Sequence, residues 1–467
     1  MITYLFLAFV GVASVIAFSN WRLGIALWMA TAILQDPIRK ITPGTPVYLT
    51  VAFLPIYLAT FASLLRSQNV IRSFSRDHGT ISQVFLMVSF LLMGSAAYGY
   101  AFSHQSLMAS LIGVGSYAGG IPAVYCGYAL LKKDYRFLNW ILLAFVLFTA
   151  LMLIGVPLEY LEIKFSRPWL GTIAMAGPNR RWFNNFDYIS MISGFYRSPE
   201  IMGWHAMSMV ICSFYLYLRR PSLVVIWSLF ASWGCYGIFH SGRRKMLLML
   251  MVFVGVFLLV STLRHRRRIL KSLILLSAVL VPAIMVFVDD LYQMSLTSGL
   301  EVAGAKAAEK MYVGPLWLAG VVGPFGYGVG TLAQGTHHFV KSQDIPLVEG
   351  GMEKVMVEFG LIGLFLMSIA GWQLILQCYR SLKRGQQTMP NEIGPGFTFS
   401  YIAANFAAFT TAFQFLGDPF IGTFLGLFAG ILLSTRRLSS ELMQPAGKQW
   451  SRPAPQIRPV PLQGAIS

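Results

Sequence analysis

The sequence has 467 residues, of which 56% are hydrophobic and only 12% are charged, and its mean hydropathy is +0.63. A soluble domain usually carries about 25% charged residues, so the composition excludes an ordinary soluble protein. A net charge of +18 would suggest nucleic-acid binding in a soluble chain. Here the Lys and Arg residues lie in short segments between apolar runs and within no nucleic-acid-binding motif. We therefore expect no nucleic-acid partner and attribute the charge to membrane topology and contact with anionic lipid.

Long apolar runs recur along the chain, and each is close to the ~20 residues that cross a bilayer as a helix. They predict an all-α fold, a polytopic bundle of about 12–14 transmembrane helices. The predicted spans are 2–18, 22–35, 46–65, 82–103, 106–130, 137–155, 203–218, 222–239, 246–262, 270–288, 353–376, 397–416 and 419–434.

Six groups of Lys and Arg lie between these spans or after the last one, and all six fall on the same side of the predicted bundle. Cytoplasmic loops are enriched in these residues, so we expect this side, with the C-terminus, to be cytoplasmic. The groups lie within residues 66–76, 132–136, 219–220, 264–271, 380–384 and 436–437.

Two long segments, 156–202 and 289–352, then face outward as loops of one transmembrane domain, 1–434. Loops of this length are usually functional. In the second loop we expect a helix lying at the outer surface, because its sequence is rich in Ala and has aromatic anchors. Residues 435–467 have the Pro-rich composition of a disordered tail, which we expect in the cytoplasm.

The stretch "HSGRRKMLL" (240–248) places Arg243 and Arg244 at the outer end of a span, against the positive-inside tendency. The outward loops add Arg167, Arg180, Arg181, Arg197 and Lys341 to this basic cluster. Such a cluster beside an apolar bundle suits a ligand with an anionic head and an apolar tail, such as a lipid diphosphate, because Arg binds phosphate oxygens with two parallel N–H donors. The alternative is that these side chains only extend to the phosphates of surrounding lipids.

A shorter outward segment, "LQDPIRKITPG" (34–44), carries Asp36, Arg39 and Lys40. Asp36 and Arg39 form a local ion pair in the simpler interpretation, and Arg39 joins the basic cluster in the other.

The four cysteines form no CxxC pair, and no two histidines have the helical spacing of a metal site. We therefore expect no metal and no other cofactor.

Four segments of this sequence, in this order, resemble motifs of the O-antigen ligase and polymerase family, a class of bacterial membrane enzymes. "SGFYRSPEIMGWHAMSMV" (193–210) resembles an Arg followed by a Pro-Asn motif and a new span, and "HSGRRKMLLML" (240–250) resembles the family's span-start motif. "PFGYGVGTLAQG" (324–335) resembles its Gly-x-Gly stretch, and "VEGGMEKVMVEFGLIGLFLM" (348–367) contains a close match to its Glu-x-Gly-x-x-Gly pattern. The resemblance covers roughly residues 190–375.

The resemblance implies a C-type glycosyltransferase-like fold in the bacterial inner membrane. It implies a metal-independent enzyme that uses undecaprenyl-diphosphate-linked glycans at the periplasmic face to build exopolysaccharide or O-antigen. Arg244 would take the place of the arginine that holds the donor diphosphate, and Arg197 the place of the arginine in the preceding outer loop. The partners would be the donor, a glycan or lipid acceptor, membrane lipids and components of polysaccharide export.

This chain departs from the family pattern at two positions. The family has His-Asn nine residues before the Glu of Glu-x-Gly, but the equivalent position before Glu358 is Glu349. The general base is then Glu349, or else His337 or His338 from the same loop. The Asn of the Pro-Asn motif is replaced by Glu200.

The sequence leaves the type of activity open. A polymerase and a ligase would use the same donor site, so the sequence does not separate them. A flippase for a lipid-linked glycan is the alternative from another class, although flippases usually have internal repeats and charges at mid-membrane. A scaffold for a glycan-export complex is a third hypothesis.

Overall fold

The computed structural model describes residues 2–44, 46–102, 106–130, 135–165, 180–182, 188–243, 245–261, 265–274, 314–332, 345–346, 348, 350–411 and 417–435. Helices form almost all of this part of the chain, apart from one short ribbon of two strands. In chain order the helices are α1 Ile2–Ser19, α2 Trp21–Ile41, α3 Leu54–Ser67, α4 Val70–Asp77, α5 Gly79–Phe102, α6 Leu107–Ala118, α7 Gly120–Leu130, α8 Arg136–Leu153, α9 Gly155–Phe165, α10 Pro199–Arg219, α11 Val224–Ser241, α12 Lys245–Val260, α13 Gly314–Val322, α14 Gly351–Thr388, α15 Gly394–Thr411 and α16 Pro419–Leu433.

Eight helical segments in the described part are long and apolar enough to cross a membrane, so the chain is a multi-pass helical membrane protein. They are Ile2–Ser19, Tyr48–Ser67, Gly79–Phe102, Leu107–Leu130, Arg136–Glu162, Pro199–Arg219, Pro221–Ser241 and Gly351–Thr388. Each coincides with a predicted span. Two further predicted spans correspond to the shorter apolar helices α12 and α16. The remaining three are 22–35, which lies within α2, and 270–288 and 397–416, which extend beyond the described residues.

The described members of the basic groups lie at one end of this bundle, which we call the basic end. Contacts between helix ends bring the groups together there: His78 Nε2 lies 3.0 Å from the carbonyl oxygen of Leu433, and Arg219 pairs with Glu392 at 2.8 Å. The opposite end of the bundle contains the C-termini of α2 and α11 and the N-termini of α10, α14 and α16.

Helix α10 is the central element, because nearly all of its residues are buried. Aromatic side chains surround its first turns: His205 stacks on Phe420 and on Phe145, with ring centroids 5.4 Å and 5.6 Å apart. Elsewhere, small residues allow close packing. A Cβ at Gly127 of α7 would overlap the carbonyl oxygen of Leu427 in α16, and this close approach of backbones is typical of membrane helices.

Parts of both segments that are predicted to face outward are described. Between α8 and α10 lie α9 and an antiparallel ribbon of β1 Arg180–Trp182 and β2 Tyr188–Ser190, in which Arg181 pairs with Ile189. In the second segment, α13 packs on α14: Leu318 is buried with Met356 and Val357, while Trp317 is exposed.

Candidate functional site

Arg197 lies directly before the central helix α10, and local sequence signals set that start. Ser198 is the N-cap, whose side chain accepts a hydrogen bond from the backbone N–H of Ile201, and Pro199 occupies the first turn, where its missing N–H costs nothing. The polar end of the most buried helix is thereby brought to the end of the bundle opposite the basic end.

Two buried carboxylates neutralise Arg197. Its Nη1 lies 3.8 Å from Oδ1 of Asp36, its backbone N–H donates to Oδ2 of Asp36 at 3.2 Å, and its Nη2 pairs with Oδ2 of Asp418. Asp418 is also the N-cap of α16, because its Oδ1 accepts from the N–H groups of Phe420 and Ile421. The three side chains are 8%, 5% and 1% exposed, so this triad joins α2, α10 and α16 in a nearly dry environment.

Arg243 pairs with Glu200, which lies at the position of the Asn in the motif that this segment resembles. Glu200 lies in the first turn of α10, where a carboxylate is favoured by the helix dipole. Arg243 follows Gly242, which ends α11 in the left-handed conformation with φ of 62°. The Arg243 side chain is 27% exposed, so it is the more accessible of the two paired arginines.

Lys40 fixes the loop that leads to Arg197. Its Nζ donates to the carbonyl oxygen of Gly194 at 2.7 Å and to Oγ of Ser193 at 3.1 Å. From the other side, Oε2 of Glu159 accepts the N–H groups of Ser193 and Gly194 at 3.1 Å and 2.6 Å. The loop before α10 is therefore fixed by charged groups from α2 and α9.

Three arginines at this end retain a buried donor. The Nε–H groups of Arg39, Arg197 and Arg243 have no hydrogen-bond partner among the described residues. A buried donor without a partner costs ~1–3 kcal/mol, so a ligand with several acceptor oxygens would be favoured here. Asp36 pairs with Arg197. The charges of Asp36 and Arg197 both act on the guanidinium group of Arg39, which lies close to them. Arg39 thus joins the cluster.

The glycine turn, residues 323–332, and the Glu-x-Gly segment of α14 form one unit. Oε1 of Glu358 accepts the N–H groups of Leu332 and Gly330 at 2.9 Å and 3.2 Å. Its Oε2 accepts the Tyr117 hydroxyl at 2.6 Å, and Lys354 lies 3.9 Å away, fully buried. The carboxylate thus holds irregular backbone inside the bundle, which is tolerated at membrane depth only where protein surrounds it.

Glycine is required at the kink in α14. Gly360 has φ of 66°, in the left-handed region, and a Cβ there would overlap the carbonyl oxygen of Pro324 in the glycine turn. The same close approach lets the backbone N–H of Tyr327 donate to the carbonyl oxygen of Val357 at 2.8 Å. The two motifs that resemble the family are therefore in direct backbone contact.

Several predicted site residues lie outside the described part of the chain: Arg244, His337, His338 and Glu349. Arg181 lies on β1, and nothing is described of its side chain. Near Glu349, α14 begins at Gly351 with Gly350 as its N-cap, and the Glu353 side chain accepts the Gly350 N–H at 2.8 Å. The structure thus brings together Arg197, Arg243 and Arg39. The choice of general base among Glu349, His337 and His338 stays a prediction.

In the simpler interpretation of the sequence Asp36 pairs with Arg39, whereas the structure pairs Asp36 with Arg197. The pairs of Arg243 with Glu200 and of Arg197 with Asp418 were not indicated by the sequence. Asp36, Glu200 and Asp418 are widely separated in the chain, and no spacing rule connects them. The one available signal for Asp418 was its position before Pro419, where an Asp is a strong N-cap.

The arrangement provides guanidinium groups that are held by carboxylates and retain buried Nε–H donors, and that of Arg197 is nearly dry. It suits electrostatic stabilisation of an oxygen-rich anion. Across the described residues no group of three or more His, Cys, Asp or Glu side chains is placed to hold a metal ion. No protein-family model, curated protein or solved structure matches this chain.

Proposed function

We propose that this protein is a membrane-embedded glycosyltransferase that polymerises or ligates undecaprenyl-diphosphate-linked glycan units at the periplasmic face of the bacterial inner membrane. It would act in the synthesis of exopolysaccharide or O-antigen. The observation that carries the proposal is the set of three arginines, Arg39, Arg197 and Arg243, with unpartnered buried Nε–H donors at one end of an apolar bundle. A diphosphate on a polyprenyl chain supplies acceptor oxygens for these donors and an apolar tail for the bundle.

The segments that resemble the family also lie in positions that suit this reaction. Arg197 and Arg243, from the first two segments, are at the same end of the bundle as the N-terminus of α14. The third and fourth segments are joined through Glu358 and the backbone of the glycine turn. These positions of the four segments support a reaction of the kind that the resembled family performs.

The reaction places two demands on the site. The bond between the anomeric carbon and the diphosphate breaks, and the electron pair leaves with undecaprenyl diphosphate. Fixed cations stabilise that developing charge, and in this proposal Arg197, Arg243, Arg244 and Arg181 supply them. The paired carboxylates set the positions of Arg197 and Arg243, so little reorganisation is needed when the donor binds.

The acceptor hydroxyl forms the new glycosidic bond and loses its proton. A positioned base accelerates such a step by ~10²–10⁴-fold. In this proposal Glu349 takes that proton, with His337 or His338 as the alternative base. All three precede α14, close in sequence to its N-cap Gly350.

One observation favours the flippase alternative. Lys354 and Glu358 form a fully buried ion pair within a transmembrane helix, and ionisable groups at such positions are often functional. However, the Glu358 oxygens already accept three hydrogen bonds, two of them from the glycine turn. A structural role accounts for this pair, so the glycosyltransferase proposal is preferred.

A deletion strain tests the proposal. Its lipids are extracted, the glycans on the lipid carrier are sized, and the membrane face that holds them is determined. Single repeat units on the periplasmic face would identify a polymerase, and full-length lipid-linked chains there would identify a ligase. Units trapped on the cytoplasmic face would identify a flippase and overturn the enzyme proposal.

A further inference from the structure

A cavity at the basic end lies far from the site described above. It has a volume of about 390 Å³ and is lined by Tyr217, Leu218, Pro221, Arg267, Arg268, Lys271 and Ser272. Its walls are the last turn of α10, the turn that follows it, and the helical residues 265–274. We propose that this cavity binds the phosphate of an anionic phospholipid headgroup.

The cavity is lined by positive charge. Three of its lining residues are cationic and none is acidic. Nearby, Arg219 has its own carboxylate partner in Glu392, but no described carboxylate forms an ion pair with Arg267 or Lys271. The charge of Arg267 and Lys271 is therefore available to an external anion, and basic pockets between membrane helices are suited to lipid headgroups.

Two of the lining cations lie close together on one wall of the cavity. Arg267 and Lys271 are four residues apart on one helical segment, so their side chains share a face, where like charges repel. An anion between them removes that repulsion. Arg268 donates from Nη2 to the carbonyl oxygen of Leu218, which joins the helical segment to the end of α10.

The surroundings favour a lipid as the source of the phosphate. Leu270 and Ile274, on the same helical segment, are 47% and 68% exposed. In a bilayer these side chains would meet acyl chains while the cations meet the headgroup layer. A soluble phosphate compound would use the same cations but would gain nothing from the apolar side chains.

The test is native mass spectrometry of the purified full-length chain, titrated with dioleoyl phosphatidylglycerol and, separately, with dioleoyl phosphatidylcholine. The double variant Arg267→Gln/Lys271→Gln is compared with Arg380→Gln/Lys383→Gln, which removes the same charge from exposed positions of α14 at the same end. We expect the wild type to prefer phosphatidylglycerol. We expect the cavity variant to bind it about 25-fold more weakly, from roughly fivefold for each of the two cations, and the control variant to change little.

A further titration with sn-glycerol 3-phosphate separates the two sources of phosphate. Weak binding of this compound beside strong binding of the lipid supports a lipid site. Equal binding of both would overturn the lipid assignment and identify a site for soluble phosphate compounds. Equal loss of lipid in the two variants would mean that net charge alone attracts the lipid, and the proposed site would be wrong.

Discussion

Arg197 pairs through Nη2 with Oδ2 of Asp418, across 221 positions of sequence, and the same aspartate caps α16 through its other oxygen. One side chain therefore sets both the start of a helix and the position of the arginine before the central helix. Removing one partner of a buried pair leaves an uncompensated charge, which is far more costly than losing a surface pair.

We expect Arg197→Ala to destabilise the protein by about 3–5 kcal/mol, because Asp36 and Asp418 would remain buried without their cation. Arg76→Ala is the control, because Arg76 is 78% exposed and pairs with the adjacent Asp77. That change should cost less than about 1 kcal/mol. Thermal unfolding in detergent measures both. Equal unfolding temperatures for the two variants would contradict the structural role of the triad.

Two substitutions of Asp418 separate its role as the N-cap of α16 from its role as the partner of Arg197. Asp418→Asn retains an oxygen that can cap α16 but removes the charge, whereas Asp418→Ala removes both. The alanine variant should be less stable than the asparagine variant by about 1 kcal/mol, the usual value of an N-cap. Thermal unfolding of the two variants measures this difference, and equal stability would show that the cap contributes nothing.

Arg243→Lys tests whether the guanidinium group, rather than its charge, is needed. Lysine keeps the charge but lacks the planar fork and the Nε–H donor. We expect glycan assembly in a complemented deletion strain to fall about tenfold or more, with little change in protein level. Arg219→Lys, in the Arg219–Glu392 pair at the basic end, is the matched change and should retain activity. Full activity of Arg243→Lys would reduce Arg243 to a partner of Glu200.

Gly360→Ala tests the contact between the glycine turn and α14. Alanine is strained at φ of 66°, and its Cβ would overlap Pro324, so we expect a loss of about 1–3 kcal/mol or more. Gly371→Ala in the same helix is the control, since a Cβ there would make only ordinary contacts with Phe406. The control should be neutral or slightly stabilising. Similar unfolding temperatures for the two variants would mean that the kink is not required.

We expect the stability of the protein to depend on pH through Lys40. Burial lowers the pKa of Lys40, which lies beyond the predicted span 22–35, from 10.5 to about 8, although Glu159 and Asp36 favour its charged form. Between these values the unfolded chain binds more protons than the folded one, so this group makes stability rise with pH from about 8 to about 10.5. The difference in unfolding temperature between wild type and Lys40→Gln, at about pH 8 and about pH 10, measures this. A difference that does not change with pH would contradict the pKa of Lys40.

The sequence predicted the helical membrane architecture well, because hydropathy and loop charge are local properties. The apolar runs that became α1, α5 and α10 were each close to the observed bounds. The basic cluster was also predicted through Arg197 and Arg243. Its neutralisation by Asp36, Glu200 and Asp418 could not be predicted, since these partners meet only when α2, α10, α11 and α16 pack together.

The contacts of Glu358 also could not be predicted from the sequence. Its motif was recognisable in the sequence, but a motif does not reveal which atoms a carboxylate contacts. In the folded chain its oxygens hold the backbone at Gly330 and Leu332, so Glu358 is a positioning residue for the glycine turn. Chemistry in the proposed reaction is assigned instead to residues near the N-terminus of α14.

Transfer of a glycan from a lipid diphosphate can be measured with the purified full-length chain in liposomes. Lipids extracted from the deletion strain provide the lipid-linked glycan and its acceptor. We expect release of undecaprenyl diphosphate in step with growth or transfer of the glycan, and loss of both in Arg244→Ala. Movement of intact lipid-linked glycan between leaflets, without release of undecaprenyl diphosphate, would identify a flippase and overturn the proposed glycosyltransferase.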